Sequence, residues 1–201
     1  MYFSVRARGE PARLLFALAG VPFEDHRLSR EDWKTIKPTT PYGQIPVLFV
    51  DEKPLAQSRA IYRYLGNQFG YSGENEWDSA QIDALGDEIE DFRAQVRPFI
   101  RITNGMLEGD LEKSYNELVI PATDSFFPIF EKKYLELNQS GFLIGSKVSW
   151  ADLFLAELVE TFTLHNKNYA ANYPKIRAHR EKVYSLPGIK EWIEKRPKTS
   201  G

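Results

Sequence analysis

The spacing of apolar residues in the first third of the chain predicts a mixture of strands and helices. Four short apolar segments predict strands, at residues 2–5, 23–28, 47–50 and 55–56. Three segments with helical spacing predict helices between them, at residues 10–19, 32–37 and 58–69. The resulting order, βαβαββα, indicates a mixed sheet with helices packed on it.

Beyond residue 70 the apolar spacing is helical throughout. A polar stretch that contains glycine predicts a linker at residues 71–77, which separates a first domain at residues 1–70 from an all-helical domain at residues 78–201. One apolar stripe predicts a long helix with a buried face, through Ile82, Leu85, Ile89, Phe92, Val96 and Phe99. A second stripe predicts another long helix, through Leu118, Ala122, Phe126, Ile129 and Phe130.

Later helices have clearer boundaries. Ser149 and Asp152 have the spacing of a capping box, and Val148 and Leu153 have that of a hydrophobic staple. They predict a central, buried helix from Trp150 to about residue 164, and shorter helices follow near residues 175–184 and 188–194.

Composition narrows the possible functions. The 201 residues carry a net charge of -2 and a pI near 6.0, which argues against a nucleic-acid partner. There is no cysteine, so any thiol chemistry needs a thiol that a ligand brings. The three histidines are scattered, so we expect no metal site, and no apolar run is long enough to predict a membrane span. A weak signal-peptide pattern at residues 13–20 is better interpreted as a buried helix.

Pro46 stands at the entry of the strand predicted at residues 47–50. Because proline cannot donate to a sheet, its position favours one of two interpretations. A trans proline would simply start the strand. A cis bond after Ile45 would turn the N–H and C=O of Ile45 outward, where they can pair with an extended peptide.

Two further pairs define the ends of such a peptide site. Gln57 and Ser58 stand at the start of a predicted helix, where free N–H groups favour a carboxylate. Ser58 alone is equally typical of an N-cap. Trp33 and Lys37 are four residues apart on one helical face and can hold a second carboxylate. A peptide with two terminal carboxylates and a central thiol is glutathione.

These residues and motifs resemble those of the cytosolic glutathione S-transferases over essentially the whole chain. The resemblance rests on Tyr2-Phe3, Arg6, Arg8-Gly9-Glu10, Trp33 with Lys37, Pro41 to Leu48, Gln57-Ser58 and Ser149 to Asp152. It is strongest with the sigma-like enzymes that are abundant in invertebrates, including nematodes. It implies a thioredoxin-like domain with a mixed four-stranded sheet, an all-helical domain and a cytoplasmic homodimer. It also implies glutathione as co-substrate, small hydrophobic electrophiles as partners, and no metal, membrane or nucleic acid.

The resemblance also implies a role for each matching residue. Tyr2 would be catalytic, with Arg8 near the sulfur. The glutathione site would comprise Trp33, Lys37, Gln44, Ile45, Pro46, Gln57 and Ser58, together with Asp91 reaching across the dimer. Electrophile contacts are expected from Arg93, Val96, Arg97 and Ile100. Tyr42 would help to form the dimer interface or be an ordinary buried tyrosine.

Two alternatives remain open from the sequence. One is a non-catalytic binding or structural relative, and the other is a glutathione-dependent isomerase of the prostaglandin type. Only Met1 precedes Tyr2, so we expect a short first strand whose looseness would misplace the Tyr2 hydroxyl. Segment 92–99 contains no tryptophan to face the sulfur, which disfavours the isomerase.

Overall fold

The computed structural model describes residues 1–199, so Ser200 and Gly201, at the end of the predicted helical domain, lie outside the described residues. The first part of the chain holds the strands β1 (Tyr2–Phe3), β2 (Arg27–Leu28), β3 (Val47–Val50) and β4 (Lys53–Ala56). Its helices are α1 (Glu10–Ala19), α2 (Arg30–Ile36) and α3 (Ser58–Phe69). The predicted order βαβαββα is therefore confirmed.

The strands form two ladders that Met1 joins. β1 pairs with β2 in parallel, and β3 pairs with β4 antiparallel. The Met1 nitrogen donates to the Val47 carbonyl at 3.0 Å, and the Val47 N–H donates to the Met1 carbonyl at 3.1 Å. This reciprocal pair places β1 beside β3 and gives the spatial order β2-β1-β3-β4.

The boundaries of four predicted elements in this part of the chain need correction. β1 ends at Phe3 rather than at residue 5. β2 holds only the last two residues of segment 23–28, because Phe23 instead stacks on Phe16 at 4.8 Å. α2 begins at residue 30 rather than 32, because Ser29 and Asp32 form a capping box. β4 begins at Lys53 and includes Pro54, which the sequence placed in the turn.

The remaining helices are α4 (Glu76–Gln95), α5 (Arg97–Thr103), α6 (Leu111–Ser114), α7 (Ile120–Phe130), α8 (Trp150–His165), α9 (Pro174–Tyr184) and α10 (Ile189–Lys195). α4 includes the last two residues of the predicted linker. The first long apolar stripe crosses a helix break at Val96, because Pro98 stands in the first turn of α5 and has no N–H to donate. Wider helical turns at 115–119 and 131–135 extend α7 at both ends. Ile129 is exposed, contrary to its predicted place in a buried stripe.

α8 is the central element of the core, as predicted. The Asp152 carboxylate accepts from the N–H of Ser149 and of Leu143, both at 2.8 Å, so the predicted capping box is present. The Trp150 side chain is fully buried, with Gly66 of α3 and Gly86 of α4 against its ring. Three helices from both parts of the chain therefore meet at one indole.

Buried charges also join the first part of the chain to the helical part. The Arg6 guanidinium lies 3.6 Å from both Glu157 and Glu160 of α8. The Glu10 carboxylate, which is fully buried, accepts from Trp192 Nε1 at 2.7 Å and from Arg196 at 2.8 Å. No helix within residues 1–199 is both long and apolar enough to cross a membrane.

Candidate active site

The loop before β3 has an unusual backbone. The Ile45–Pro46 peptide bond is cis, as one of the two sequence interpretations required. Pro46 is buried, and the β3 ladder begins only at Val47. Within residues 1–199, neither the N–H nor the C=O of Ile45 has a hydrogen-bond partner. The backbone of Ile45 is thus free to pair with an extended ligand.

The start of α3, which follows β3 and β4 along the chain, presents free N–H groups. Gln57 precedes the helix with φ 72° and ψ 111°, a conformation that is rare for a residue with a side chain. Ser58 is the first helical residue rather than the N-cap, which corrects one of the two sequence interpretations. Its buried hydroxyl accepts a hydrogen bond from Arg8 Nη1 at 3.3 Å.

Arg8 links the first loop to the helical domain. Its Nη2 donates to the Glu90 carboxylate on α4, and its carbonyl accepts from the buried Tyr62 hydroxyl at 2.6 Å. Burial by itself would lower the pKa of Arg8, but the Glu90 carboxylate outweighs that effect, so the pKa is raised. Arg8 is therefore a fixed positive charge whose position depends on two other elements.

Sequence reasoning missed Glu90 as the carboxylate that orients Arg8. Asp91, which the resemblance singled out, is exposed on the same helix and points to no described partner. The two acidic residues are adjacent in sequence, and their different exposure follows from the helical period. Its adjacency to Asp91 was the one signal in the sequence for Glu90, because Arg8, with which Glu90 pairs, is 82 positions away.

Tyr2 lies close to the same arginine. Burial raises the pKa of the Tyr2 phenol, and the nearby Arg93 and Arg8 guanidiniums and a hydrogen bond with the Arg8 backbone offset part of that rise. The phenol therefore carries its proton at neutral pH and is a hydrogen-bond donor rather than a base. A Cβ at Gly9 would lie 2.5 Å from Cδ1 of Tyr2, so the ring needs the space that glycine leaves.

The three residues expected at the far end of a peptide lie on one side of the first domain. Trp33 is half-buried in α2, and its ring meets Phe3 edge-on at 5.9 Å. Lys37 is exposed immediately after α2, and its side chain lies next to Gly43. Gln44 is exposed and follows Gly43 directly. The Lys37 ammonium thus lies near the loop that leads to Ile45.

A small cavity separates the first loop from the helical domain. Its volume is about 20 Å³, and its lining is Ala7, Arg93, Phe99, Ile100, Thr103, Asn104, Leu158, Thr161, Phe162 and His165. Of the four residues expected to contact an electrophile, Arg93 and Ile100 line it. Val96 does not, because it is fully buried in the helical core, and the exposed Arg97 does not either. The sequence missed the contribution of α8, which lies more than 50 residues further along the chain.

No group of three potential metal ligands comes together within residues 1–199.

A thioredoxin-like domain followed by an all-helical domain is the class of protein that this fold defines. Residues 1–67 match the glutathione S-transferase N-terminal domain, and residues 90–196 match the glutathione S-transferase C-terminal domain. The chain belongs to the glutathione S-transferase family.

Individual relatives agree with this assignment. Glutathione S-transferase 1 of Ascaris suum is 45% identical over 98% of this chain and 96% of its own length. A crystal structure of monomeric Na-GST-3 from the hookworm Necator americanus is 43% identical, with a TM-score of 0.95 over 100% of this chain and 97% of that one. The structure of prostaglandin synthase D of Nilaparvata lugens is 40% identical, with a TM-score of 0.86 over 98% of this chain and 97% of that one.

Proposed function

We propose that the protein is a glutathione transferase that joins the glutathione thiolate to small hydrophobic electrophiles. The observation that carries the proposal is that Arg8 lies close to Tyr2 and donates to Ser58, while the cis bond before Pro46 leaves the Ile45 backbone unpaired within residues 1–199. Family membership supports the proposal, because a relative that is 45% identical over almost the whole chain is named a glutathione S-transferase. Glutathione is a co-substrate here and supplies the thiol that the chain lacks.

In this proposal each end of glutathione has its own anchor. The γ-glutamyl carboxylate binds at the N-terminus of α3, with Gln57 and Ser58. The cysteinyl unit pairs with the Ile45 backbone beside Pro46. The glycyl carboxylate binds Lys37, with Trp33 and Gln44 beside it. Asp91 would contact the γ-glutamyl amine of a partner's site.

The Tyr2 hydroxyl donates to the glutathione sulfur and stabilises its thiolate. Lowering the thiol pKa by ~2 units requires about 2.7 kcal/mol. A hydrogen bond to a charged group contributes ~1.5–3 kcal/mol, so one phenol is about sufficient. The positive charge of Arg8 favours the anion further. The thiolate then forms the new carbon–sulfur bond while the leaving group departs with its bonding electrons.

Substitution of the phenol tests this assignment. We expect Tyr2→Phe to reduce conjugation of a chlorodinitrobenzene-type electrophile at neutral pH by about ten- to a hundredfold, because one charge-assisted hydrogen bond is lost. Retention on immobilised glutathione should persist. Tyr64→Phe, which alters a half-buried tyrosine of α3 away from the site, is the matched control. Full activity of Tyr2→Phe would show that another donor activates the sulfur.

A second candidate function, isomerisation of a prostaglandin-type endoperoxide, is favoured by one observation. Prostaglandin synthase D of Nilaparvata lugens covers almost the whole chain at 40% identity. Incubation with glutathione and a prostaglandin endoperoxide distinguishes the two candidates. An isomerase yields a rearranged product without consuming glutathione, whereas a transferase consumes one glutathione for each product formed.

We also propose a cytoplasmic, sigma-like enzyme that forms homodimers. Tyr42 is 67% exposed in the single chain, which rules out the alternative of an ordinary buried tyrosine and leaves it available for a partner. Na-GST-3, a relative from Necator americanus, is monomeric, so the oligomeric state of this protein has to be measured. We expect light scattering to give twice the chain mass, and Tyr42→Ala to lower it. Leu137→Ala, which changes another exposed apolar residue, is the control. A wild-type monomer would contradict the dimer.

A further inference from the structure

Arg93 is a buried arginine whose charge the protein does not neutralise well. Its guanidinium is buried and lies over the Phe154 ring at 5.7 Å. Its Nε has no hydrogen-bond partner within residues 1–199. The one carboxylate near it in that part of the chain is Glu90, whose Oε2 is 4.0 Å from Nε, too far for a hydrogen bond. A buried cation of this kind is unfavourable unless another group pairs with it.

Glu90 is already engaged by a different arginine. Its other carboxylate oxygen, Oε1, accepts a close hydrogen bond from Arg8. Two guanidiniums therefore share one carboxylate, which leaves one positive charge over. Burial, and then repulsion from Arg8, lower the pKa of Arg93, in keeping with a cation that lacks a partner. The remaining charge is fixed in place before any ligand binds.

The unpaired charge faces the small cavity described above. Arg93 lines that cavity, whereas Tyr2, Arg8 and Glu90 do not. Apolar groups form much of its wall, from Phe99, Ile100, Leu158 and Phe162, and His165 stands edge-on to Phe99 at 5.4 Å. The cavity of about 20 Å³ has room for one water molecule, so a larger ligand has to displace side chains at its mouth. An apolar wall beside one buried cation fits a ligand with an apolar body and an anionic group.

We propose that Arg93 gives the enzyme a preference for electrophiles that carry a carboxylate on an apolar body. The guanidinium donates to that carboxylate, with the two-pronged geometry that suits arginine, while the thiolate attacks a carbon elsewhere in the ligand. This inference rests on the proposed transferase function. It makes Arg93 a residue that determines specificity through direct contact with the substrate.

A pair of substrates that differ only in the charged group tests the proposal. The probes are 4-chloro-3-nitrobenzoate and its methyl ester, in both of which the thiolate sulfur bonds to the ring carbon and chloride leaves with the bonding electrons. Wild-type enzyme should favour the acid over the ester, relative to the same ratio for the uncatalysed reaction with glutathione. This comparison needs no variant.

Substitution then assigns the preference to one residue. Arg93→Met should lower the ratio of kcat/KM for the acid to kcat/KM for the ester by about tenfold or more, mainly through KM for the acid. Because Arg93 also lies near Tyr2, the acid-to-ester ratio, and not the activity on the ester alone, is the readout. Arg93→Lys, which keeps the charge, should retain part of the preference. Arg101→Met changes an exposed arginine of α5 that does not line the cavity, and should change neither substrate.

Several outcomes would overturn the inference. Equal losses for acid and ester, with the pH profile of the rate shifted upward, would show that Arg93 acts on the glutathione thiolate instead. Wild-type turnover of the ester with no relative preference for the acid would contradict the specificity alone. If the wild-type enzyme conjugates neither these probes nor the chlorodinitrobenzene-type electrophile, the proposed function itself fails, whereas conjugation of the latter alone would contradict the preference for the acid. Should Arg93→Met not fold by circular dichroism, the wild-type ratio and Arg93→Lys still decide.

Discussion

The ring of Tyr2 packs against a residue that has no side chain. Gly9 has φ -83° and ψ -27°, which any residue adopts, so glycine is needed there for space rather than for its backbone freedom. A methyl group at this position would displace the ring, and the hydroxyl with it. The space left by the missing Cβ of Gly9, seven residues further along the chain, thus determines the position of the phenol.

We expect Gly9→Ala to lower kcat by up to about a hundredfold, because an error of about 1 Å in a reacting group has that effect. Retention on immobilised glutathione should change little, since the anchors at Lys37 and Ser58 are untouched. A double-variant cycle gives the control. Adding Gly9→Ala to Tyr2→Phe should cost little further activity, because the displaced group is already absent. Equal losses in both backgrounds would show that Gly9 acts through something other than Tyr2.

At this scale the sequence predicted the residues whose roles are local. The position of Pro46 left a cis and a trans bond open, and the structure has the cis bond. The start of a helix at Gln57 and Ser58 follows from a short motif, so it was accessible from the sequence. The role of Glu90 was not, because it depends on packing between distant segments. Val96 was predicted both in a buried stripe and at the electrophile site, and its full burial agrees with the stripe alone. Ser58 lies at the predicted place but in a different capping position, since Gln57 precedes the helix instead.

Among the elements, α3, α4 and α8 approach one another closely at Trp150. A Cβ at Gly86 would overlap the far edge of the Trp150 ring, and one at Gly66 would meet its near edge. The two glycines therefore allow α3 and α4 to approach α8 until they contact the edges of the Trp150 ring. Apolar periodicity predicted that α4 and α8 would be buried, but not which ring lies between them.

Gly86→Ala should destabilise the protein by about 1–3 kcal/mol, as overpacking does. This is the opposite of the gain of up to ~1 kcal/mol expected for glycine to alanine in an exposed helix. Midpoints of urea unfolding measure the difference. Trp150→Phe should relieve the overlap. Gly86→Ala should therefore cost less stability in the Trp150→Phe variant than in the wild type. A stabilised Gly86→Ala variant would contradict the packing.

Element boundaries show where local patterns fail. The apolar stripe from Ile82 to Phe99 is continuous in sequence, yet the helix breaks at Val96 because Pro98 interrupts the backbone hydrogen bonds. β1 and β2 have two residues each, and before β2 the stacking of Phe23 on Phe16 replaces part of the predicted ladder. Spacing predicts which face is buried, whereas tertiary contacts decide where an element stops.

At the scale of the whole molecule, Glu157 is a buried titratable group held between the two parts of the chain. It is buried 3.6 Å from Arg6 and 3.8 Å from Arg196, and the Tyr184 hydroxyl donates to it at 2.7 Å. Burial raises the pKa of Glu157 to about 7, although the two guanidiniums oppose that rise. In the unfolded chain the pKa of the same group returns to about 4.3.

This difference makes the stability depend on pH. Between these two pKa values the folded protein keeps a proton that the unfolded chain has released, so the contribution is complete below about pH 4.3 and is lost as pH rises toward 7. We expect wild-type stability, relative to Glu157→Gln, to fall by up to about 3 kcal/mol across this range. Urea unfolding of both proteins at several pH values measures the difference. Parallel curves would contradict the shifted pKa.

α10, the last described helix, packs against α1 near the beginning of the chain. Gly188, which precedes α10, lies against the α1 backbone, and the Trp192 indole and the Arg196 guanidinium both donate to Glu10. If the first 70 residues were produced alone, the Glu10 carboxylate would keep only Arg13 as a partner. The surface that contacts the helical part of the chain would then be exposed to water. Such a fragment should not fold independently, and the intact protein should melt in one cooperative step, because its two domains share a single folding unit.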